Sequence, residues 1–179
     1  PGIPNRVEQD GFDFQYEDWK VSGSGPKHRV EVRTRDFAVT LALDDEHPPT
    51  LHQVPNSGGP GLLDLGGAGK LYYYSRMRVP TQGSITVAGN TLPVSGQSWF
   101  DHQWGDIHGA QTGWNWLALQ LDDGTDIVTF DIFGSREKPL MHVATLNLRG
   151  TTTALGDRDF TLRPLDKPEA IPGGPTRYP

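Results

Sequence analysis

Gly96-Gln97-Ser98-Trp99-Phe100-Asp101-His102-Gln103-Trp104-Gly105 is a ten-residue run of large aromatic and polar side chains between two glycines. It has no apolar stripe at helical spacing and fits the alternation of an extended strand. In that geometry Ser98, Phe100, His102 and Trp104 share one face, and Trp99, Asp101 and Gln103 share the other. Upstream, the extended character reaches back to Thr91, where Gly89-Asn90 marks a turn. Before it lie strand candidates at 70–79 and 83–88. Downstream, 105–113 is a polar linker, and strands are expected near 114–121 and 125–133. Asp122-Asp123-Gly124 between them is a strong hairpin turn signal.

The flanks continue the pattern. Phe12, Phe14 and Tyr16 alternate with polar neighbours, and Ser22-Gly23-Ser24-Gly25-Pro26 is expected to end that strand. Val30 and Val32 on one side of Arg35-Asp36, and Phe37, Val39, Leu41 and Leu43 on the other, predict a hairpin. Residues 44–70 form a long turn-rich loop around Pro48-Pro49 and Gly58-Gly59-Pro60-Gly61. Further strands are expected near 140–148 and 158–163. The tail from 164 onward, with its repeated prolines, is expected to be extended. There are 22 Gly and 15 Pro among 179 residues, a density that chops a chain into short segments. No helix signal and no internal repeat stands out. The reading is an all-β antiparallel protein, sandwich or barrel.

Composition narrows the function. A net charge of −6 argues against nucleic acid, which needs a positive footprint. No stretch approaches the roughly 18 apolar residues of a membrane helix. With no cysteine there is no thiolate metal site, disulfide or Cys nucleophile. The chain opens at Pro1 without an initiator Met or signal-peptide pattern, which we read as a processed or truncated chain.

The candidate chemistry centres on two positions. Ile127, Thr129 and Asp131 share a face of an otherwise apolar strand, and an ionisable group there is costly to bury unpaired. Asp131 is that group, and His102 is its candidate partner. A carboxyl desolvated beside aromatic rings can stay protonated and act as a general acid. The competing reading makes both residues structural, Asp131 facing water or a turn. What favours a site is the density of Trp, His and Asp between Trp99 and Trp116. Ser98, Asp101 and His102 contain the residue types of a nucleophilic triad, but alternation turns Asp101 away from the other two, and no nucleophile elbow is present. The six histidines show no metal-ligand spacing, so no metal and no cofactor is expected. Tyr72, Tyr74 and Arg76 share a face and suit either a polar pocket mouth or a structural aromatic ladder.

Four blocks together resemble the AttH-like proteins, a group that includes carotenoid 1,2-hydratases, predicted secreted hydrolases and natural-product cyclases. They are Tyr72-Tyr73-Tyr74-Ser75-Arg76, Gly83-Ser84-Ile85-Thr86-Val87, the run from Val94 to Gly105, and the run from Gly113 to Gly124. The resemblance is clear over about residues 70–133. It implies two tandem lipocalin-like β-barrels, a pocket for an apolar small molecule and a chain roughly twice this length. On that mapping this is a truncated member, an antiparallel lipocalin-like β-barrel built from the later part of one family barrel and the early part of the next. Residues 1–105 would belong to the first barrel and 106–163 to the second, with 164–179 a Pro-rich tail. A homodimer or strand-exchanged oligomer could complete the missing strands. A secreted or periplasmic location follows from the same resemblance.

In the hydratase branch, acid chemistry is attributed to a His-x-Trp pair and a Tyr-x-Asp pair. His102 and Trp104 match the first. Asp131 matches the Asp of the second, with Thr129 where the hydratases carry Tyr, a departure that weighs against carotenoid as the substrate. The expected catalytic set is His102, Asp131 and Trp104. The expected ligand-binding set is Ser98, Phe100, Trp114, Trp116, Thr129, Tyr72 and Tyr74. The leading expectation is hydrolysis of an apolar ester by Asp/His-assisted water attack. The alternatives are a hydratase or cyclase acting on a polyene or terpenoid, and a non-catalytic lipocalin-like carrier.

Overall fold

A computed structural model describes residues 6–8, 11–55, 58–107, 113–133, 139–156, 158–162, 169–170 and 177–178. The chain divides into two compact units. The first is Pro1–Leu51 with Leu71–Gly105, and the second is His52–Lys70 with Asp106–Pro179.

The first unit is a meander that ends on one long hairpin. Its strands are β1 (Arg6–Glu8), β2 (Gly11–Tyr16), β3 (Trp19–Ser24), β4 (Lys27–Arg33), β5 (Phe37–Asp44) and β6 (Thr50–Leu51). The second unit contributes β7 (Leu62–Asp64) and a one-turn 3₁₀ helix, Gly66–Ala68. Then come β8 (Gly69–Val87) and β9 (Asn90–Ile107). The sheet runs β1-β2-β3-β4-β5-β8-β6, with β9 also paired to β8. Every register recorded in it is antiparallel, as Val32↔Val39 and Leu41↔Gly83 illustrate. The β8–β9 turn is Ala88-Gly89, both with positive φ (49° and 79°), which is what a two-residue type I′ hairpin requires.

The long strand explains the core of this unit. Leu71, Tyr73, Ser75, Met77, Val79 and Thr81 of β8 are all buried, every second residue. The intervening Tyr72, Tyr74 and Arg76 face the other way, as their alternation predicts. The two strands expected at 70–79 and 83–88 are therefore one. Ser22-Gly23-Ser24 does not break its strand either but completes β3, and the reversal comes at Gly25 (φ 56°) and Pro26.

The second unit holds a four-stranded sheet, β10 (Gly113–Gln120), β11 (Thr125–Phe133), β12 (Pro139–Leu148) and β13 (Thr151–Leu155), in that order. The Asp122-Asp123-Gly124 turn forms as expected. Asp123 accepts the Thr125 N–H at 2.9 Å, and Leu121 N–H reaches the Thr125 carbonyl at 2.8 Å. Central β11 is buried on both faces, and Val128 of β11 and Val143 of β12 are fully inaccessible. Burying a side chain of this size stabilises by about 1.5–3 kcal/mol. His52, from the stretch read as a loop, is also fully buried and hydrogen-bonds Thr145 at 3.0 Å.

Three expectations change. The last strand of this sheet is Thr151–Leu155, whereas 158–162 is turn and coil, because Arg149-Gly150 (φ 51° and 85°) makes a second tight hairpin directly after β12. The 44–70 segment contains β6, β7 and the 3₁₀ turn. No pairing among the described residues closes either sheet on itself, so the architecture is all-β antiparallel with open sheets where a closed barrel was expected. Most of the Pro-rich tail lies outside the described residues; Glu169–Ala170 and Arg177–Tyr178 pair as β14 and β15.

Candidate functional site

The outward row of β8 and the facing residues of β9 build an aromatic wall in the first unit. Tyr72 stacks on Trp104 with ring centroids 5.4 Å apart. His102 lies 4.8 Å from Trp104, and Tyr74 meets His102 edge-on at 5.4 Å. The Tyr74 hydroxyl and His102 Nδ1 share a hydrogen bond of 3.2 Å. Phe100 continues the wall, 6.3 Å from both Tyr74 and His102. Five residues singled out from sequence, Tyr72, Tyr74, Phe100, His102 and Trp104, are thus brought together.

The wall flanks an open cleft of about 890 Å³ that Tyr74, Arg76, Phe100, Asp101 and His102 help to line. Its far side is supplied by residues the sequence reading did not assign to a site: Phe12, Phe14, Val21 and His28. His28 stacks between Phe12 (5.7 Å) and Phe100 (6.4 Å). Gly23 makes room for it, since a Cβ there would lie 2.3 Å from the His28 ring. Burial, with the positive charge of Arg76 second, holds the His28 imidazole below its ordinary pKa, against an opposing pull from Asp45. Arg76 donates from Nη1 to the buried Asp45 carboxylate at 2.8 Å and to the His47 carbonyl at 3.3 Å.

The triad residues go to separate partners. Ser98 Oγ hydrogen-bonds Thr81 Oγ1 at 2.8 Å. Asp101 accepts from the Ser75 hydroxyl and, at 2.7 Å, from Trp99 Nε1. With His102 held by Tyr74, nothing assembles a Ser-His-Asp relay.

Asp131 lies in the second unit, and its imidazole partner is His142. The two are opposed in the β11–β12 register, and His142 Nδ1 is 2.6 Å from Asp131 Oδ1. The Asp131 side chain is 7% exposed and that of His142 is 39%, so the carboxylate is sheltered while the ring reaches solvent. Phe160 packs edge-on to that ring at 6.3 Å. Thr129, two residues before Asp131 on the same face, has a buried hydroxyl without a hydrogen-bond partner among the described residues. Trp114 and Trp116 stand in register with Ile132 and Phe130. That puts them on the opposite face of the sheet from Thr129 and Asp131, and they are 70% and 44% exposed. Of the expected set, His102 and Trp104 belong to the first unit, and Asp131, Thr129, Trp114 and Trp116 belong to the second.

Comparison with known proteins adds the evolutionary frame. The sequence model of the AttH-like family matches residues 4–179. A solved structure assigned as AttH from Nitrosomonas europaea superposes with a TM-score of 0.70 at 26% identity, covering 82% of this chain and 46% of that one. Kievitone hydratase from Nectria haematococca superposes with a TM-score of 0.67 at 18% identity, with the same coverage of 82% and 46%. The chain therefore spans just under half the length of these proteins. No curated protein matches.

Proposed function

Since the chain belongs to the AttH-like family, we propose that the cleft of its first unit binds an apolar small molecule and that the protein adds water across a carbon–carbon double bond in it. The observation that carries this reading is the Tyr74–His102 hydrogen bond set within a wall of aromatic rings. With Tyr74 engaging Nδ1, the ring is oriented and Nε2 is left for the ligand. His102 as imidazolium gives its proton to one alkene carbon. The cation left on the other carbon is steadied by the rings of Tyr74 and Phe100, which line the cleft beside His102, with Trp104 packed behind His102. Water attacks that carbon and returns a proton to the now neutral His102, so the sum is addition of one water and the residue is regenerated.

The hydratase reading has more support than ester hydrolysis, the leading expectation from sequence. The likeness to kievitone hydratase favours it, and Ser98 is tied to Thr81 with no link to His102. Asp131, which the resemblance places in the catalytic set, has His142 as its partner in the second unit. The deciding experiment incubates the protein with panels of apolar alkenes and apolar esters in ¹⁸O-labelled water and reads product mass. Wild type should incorporate one labelled water, and His102→Gln should lose about 100-fold or more in rate. Tyr74→Phe should lose less, since it keeps the ring and removes only the orienting hydroxyl. Label appearing only in the acid released from an ester, or an unchanged rate in His102→Gln, would overturn the proposal.

A further inference from the structure

Where Arg76 lines it, the same cleft is polar in a particular way. Arg76 and Asp45 form an ion pair at 2.8 Å, with the Asp45 side chain 2% exposed and that of Arg76 19%. Asp45 is further fixed by accepting the His47 N–H at 3.1 Å. The guanidinium lies 5.9 Å from the Tyr74 ring centroid, so the aromatic wall and the charged group are continuous. A guanidinium has five N–H donors in a fixed fork, and its contacts to Asp45 and His47 both use Nη1. The buried carboxylate cancels the charge of Arg76 at close range. The neighbouring His28 adds no compensating charge, because burial and Arg76 favour its neutral form.

We infer that this part of the cleft selects the ligand's head group, taking an apolar molecule that carries a neutral oxygen, a hydroxyl or carbonyl, in preference to a carboxylate. Arg76 is the specificity-determining donor and Asp45 the positioning residue that withholds its net charge. A neutral oxygen accepts a hydrogen bond from the guanidinium without needing a free positive charge. A carboxylate would meet Asp45 as a like charge in a partly desolvated site, which costs more than the guanidinium returns. The apolar body then lies against Phe12, Phe14 and Phe100. The inference rests on the reading of this cleft as the ligand site, and it names the class of ligand.

Three probes with one carbon skeleton test it: farnesol, farnesoic acid and farnesene, each displacing the neutral dye Nile red from the intact chain. Farnesol should displace the dye at a concentration three- to tenfold lower than farnesene, and farnesoic acid should do no better than farnesol. Arg76→Met should erase the advantage of farnesol, and Arg76→Lys, which keeps a donor, should retain part of it. Asp45→Asn should raise farnesoic acid about tenfold relative to farnesol, because the guanidinium charge is then uncompensated. Circular dichroism and Nile red binding check that each variant is folded. A wild-type preference for the acid, or an unchanged preference in Arg76→Met or Asp45→Asn, would overturn the inference. Selective farnesol binding with no label incorporated from any alkene would refute the hydratase reading and leave this one standing. Failure of all three probes to compete would overturn both.

Discussion

Gly83→Ala is expected to be among the most damaging single-methyl additions available in this protein. Gly83 sits on β8 opposite Leu41 of β5, in the stretch that joins the meander to the long hairpin. A Cβ built on it falls 2.0 Å from the Thr40 carbonyl oxygen and 3.0 Å from the Leu41 Cα. Both are backbone atoms, so no rotamer change relieves the clash. Restoring van der Waals distance requires the strands to move apart by roughly 1–1.5 Å. That stretches the neighbouring ladder hydrogen bonds beyond bonding distance. Overpacking of this kind costs about 1–3 kcal/mol, and one or two lost backbone hydrogen bonds add about 1 kcal/mol each. We expect a total near 3–4 kcal/mol, a large share of the ~5–15 kcal/mol typical of a folded domain. Urea unfolding followed by tryptophan fluorescence measures it. With slopes of about 1–3 kcal/mol/M, the midpoint should fall by roughly 1–4 M. Gly96→Ala is the matched control: it lies in β9, has no positive φ, and its Cβ would meet nothing within 4 Å. It should stay within about 0.5 kcal/mol of wild type. A Gly83→Ala midpoint as close to wild type as that of the control would show that the β5–β8 pairing is not as tight as this reasoning requires.

Two other expectations concern titratable groups. The folded chain holds the His28 pKa below its ordinary value, so between the two values the unfolded chain binds more protons and stability rises with pH. The contribution is therefore complete above about pH 6.5 and is lost as pH falls through that window; His28→Phe should flatten this part of the stability profile, and an unchanged slope would refute it. For Asp131 and His142, the short contact between a sheltered carboxylate and Nδ1 requires that Nδ1 carry the proton in the neutral ring. Long-range ¹⁵N–¹H NMR should find the Nδ1–H tautomer in wild type and its loss in Asp131→Ala, with about 1 kcal/mol of destabilisation once the exposure of His142 is discounted; an Nε2–H tautomer in wild type would remove the pairing.

Much of the fold was legible because its signals are local. Alternation in Val30–Val32 and 37–43, the Asp-Asp-Gly turn, and the Tyr72/Tyr74/Arg76 face each depend on neighbours a few residues apart, and each is found. The misses depend on non-local facts. Ser22-Gly23-Ser24 looks like a breaker, but small residues belong there because β3 passes under the His28 ring. The strand at Thr151–Leu155 hides behind an Arg-Gly turn whose left-handed φ values the sequence does not advertise. Phe12, Phe14 and His28 enter the cleft only through the order of strands in a sheet. His142 was missed as the partner of Asp131 because it stands on the next strand, and alternation says which face a residue takes but not which residue stands opposite.

The face assignment of the opening motif itself turns on one backbone feature. Strict alternation along β9 groups Ser98 with His102 and sets Asp101 apart. Yet Ser98 bonds Thr81 and Asp101 bonds Ser75, and both partners belong to the buried, odd-numbered row of β8. His102 instead meets Tyr74, of the even row. Between residues 98 and 101 the correspondence of the two strands has therefore shifted by one residue. The buried odd-numbered row of β8 runs unbroken through that interval, so the change of face lies in β9 itself, between Ser98 and Asp101. A one-residue shift reverses which side chains point to each face. Without it, the Thr81–Ser98 register would carry on to the end of the hairpin, turning His102 toward the Ser75 row and Asp101 toward Tyr74. The cleft would then present a carboxylate where it now presents an imidazole. The chemistry proposed for this unit depends as much on the irregular backbone of β9 between Ser98 and Asp101 as on the His-x-Trp spelling of the motif.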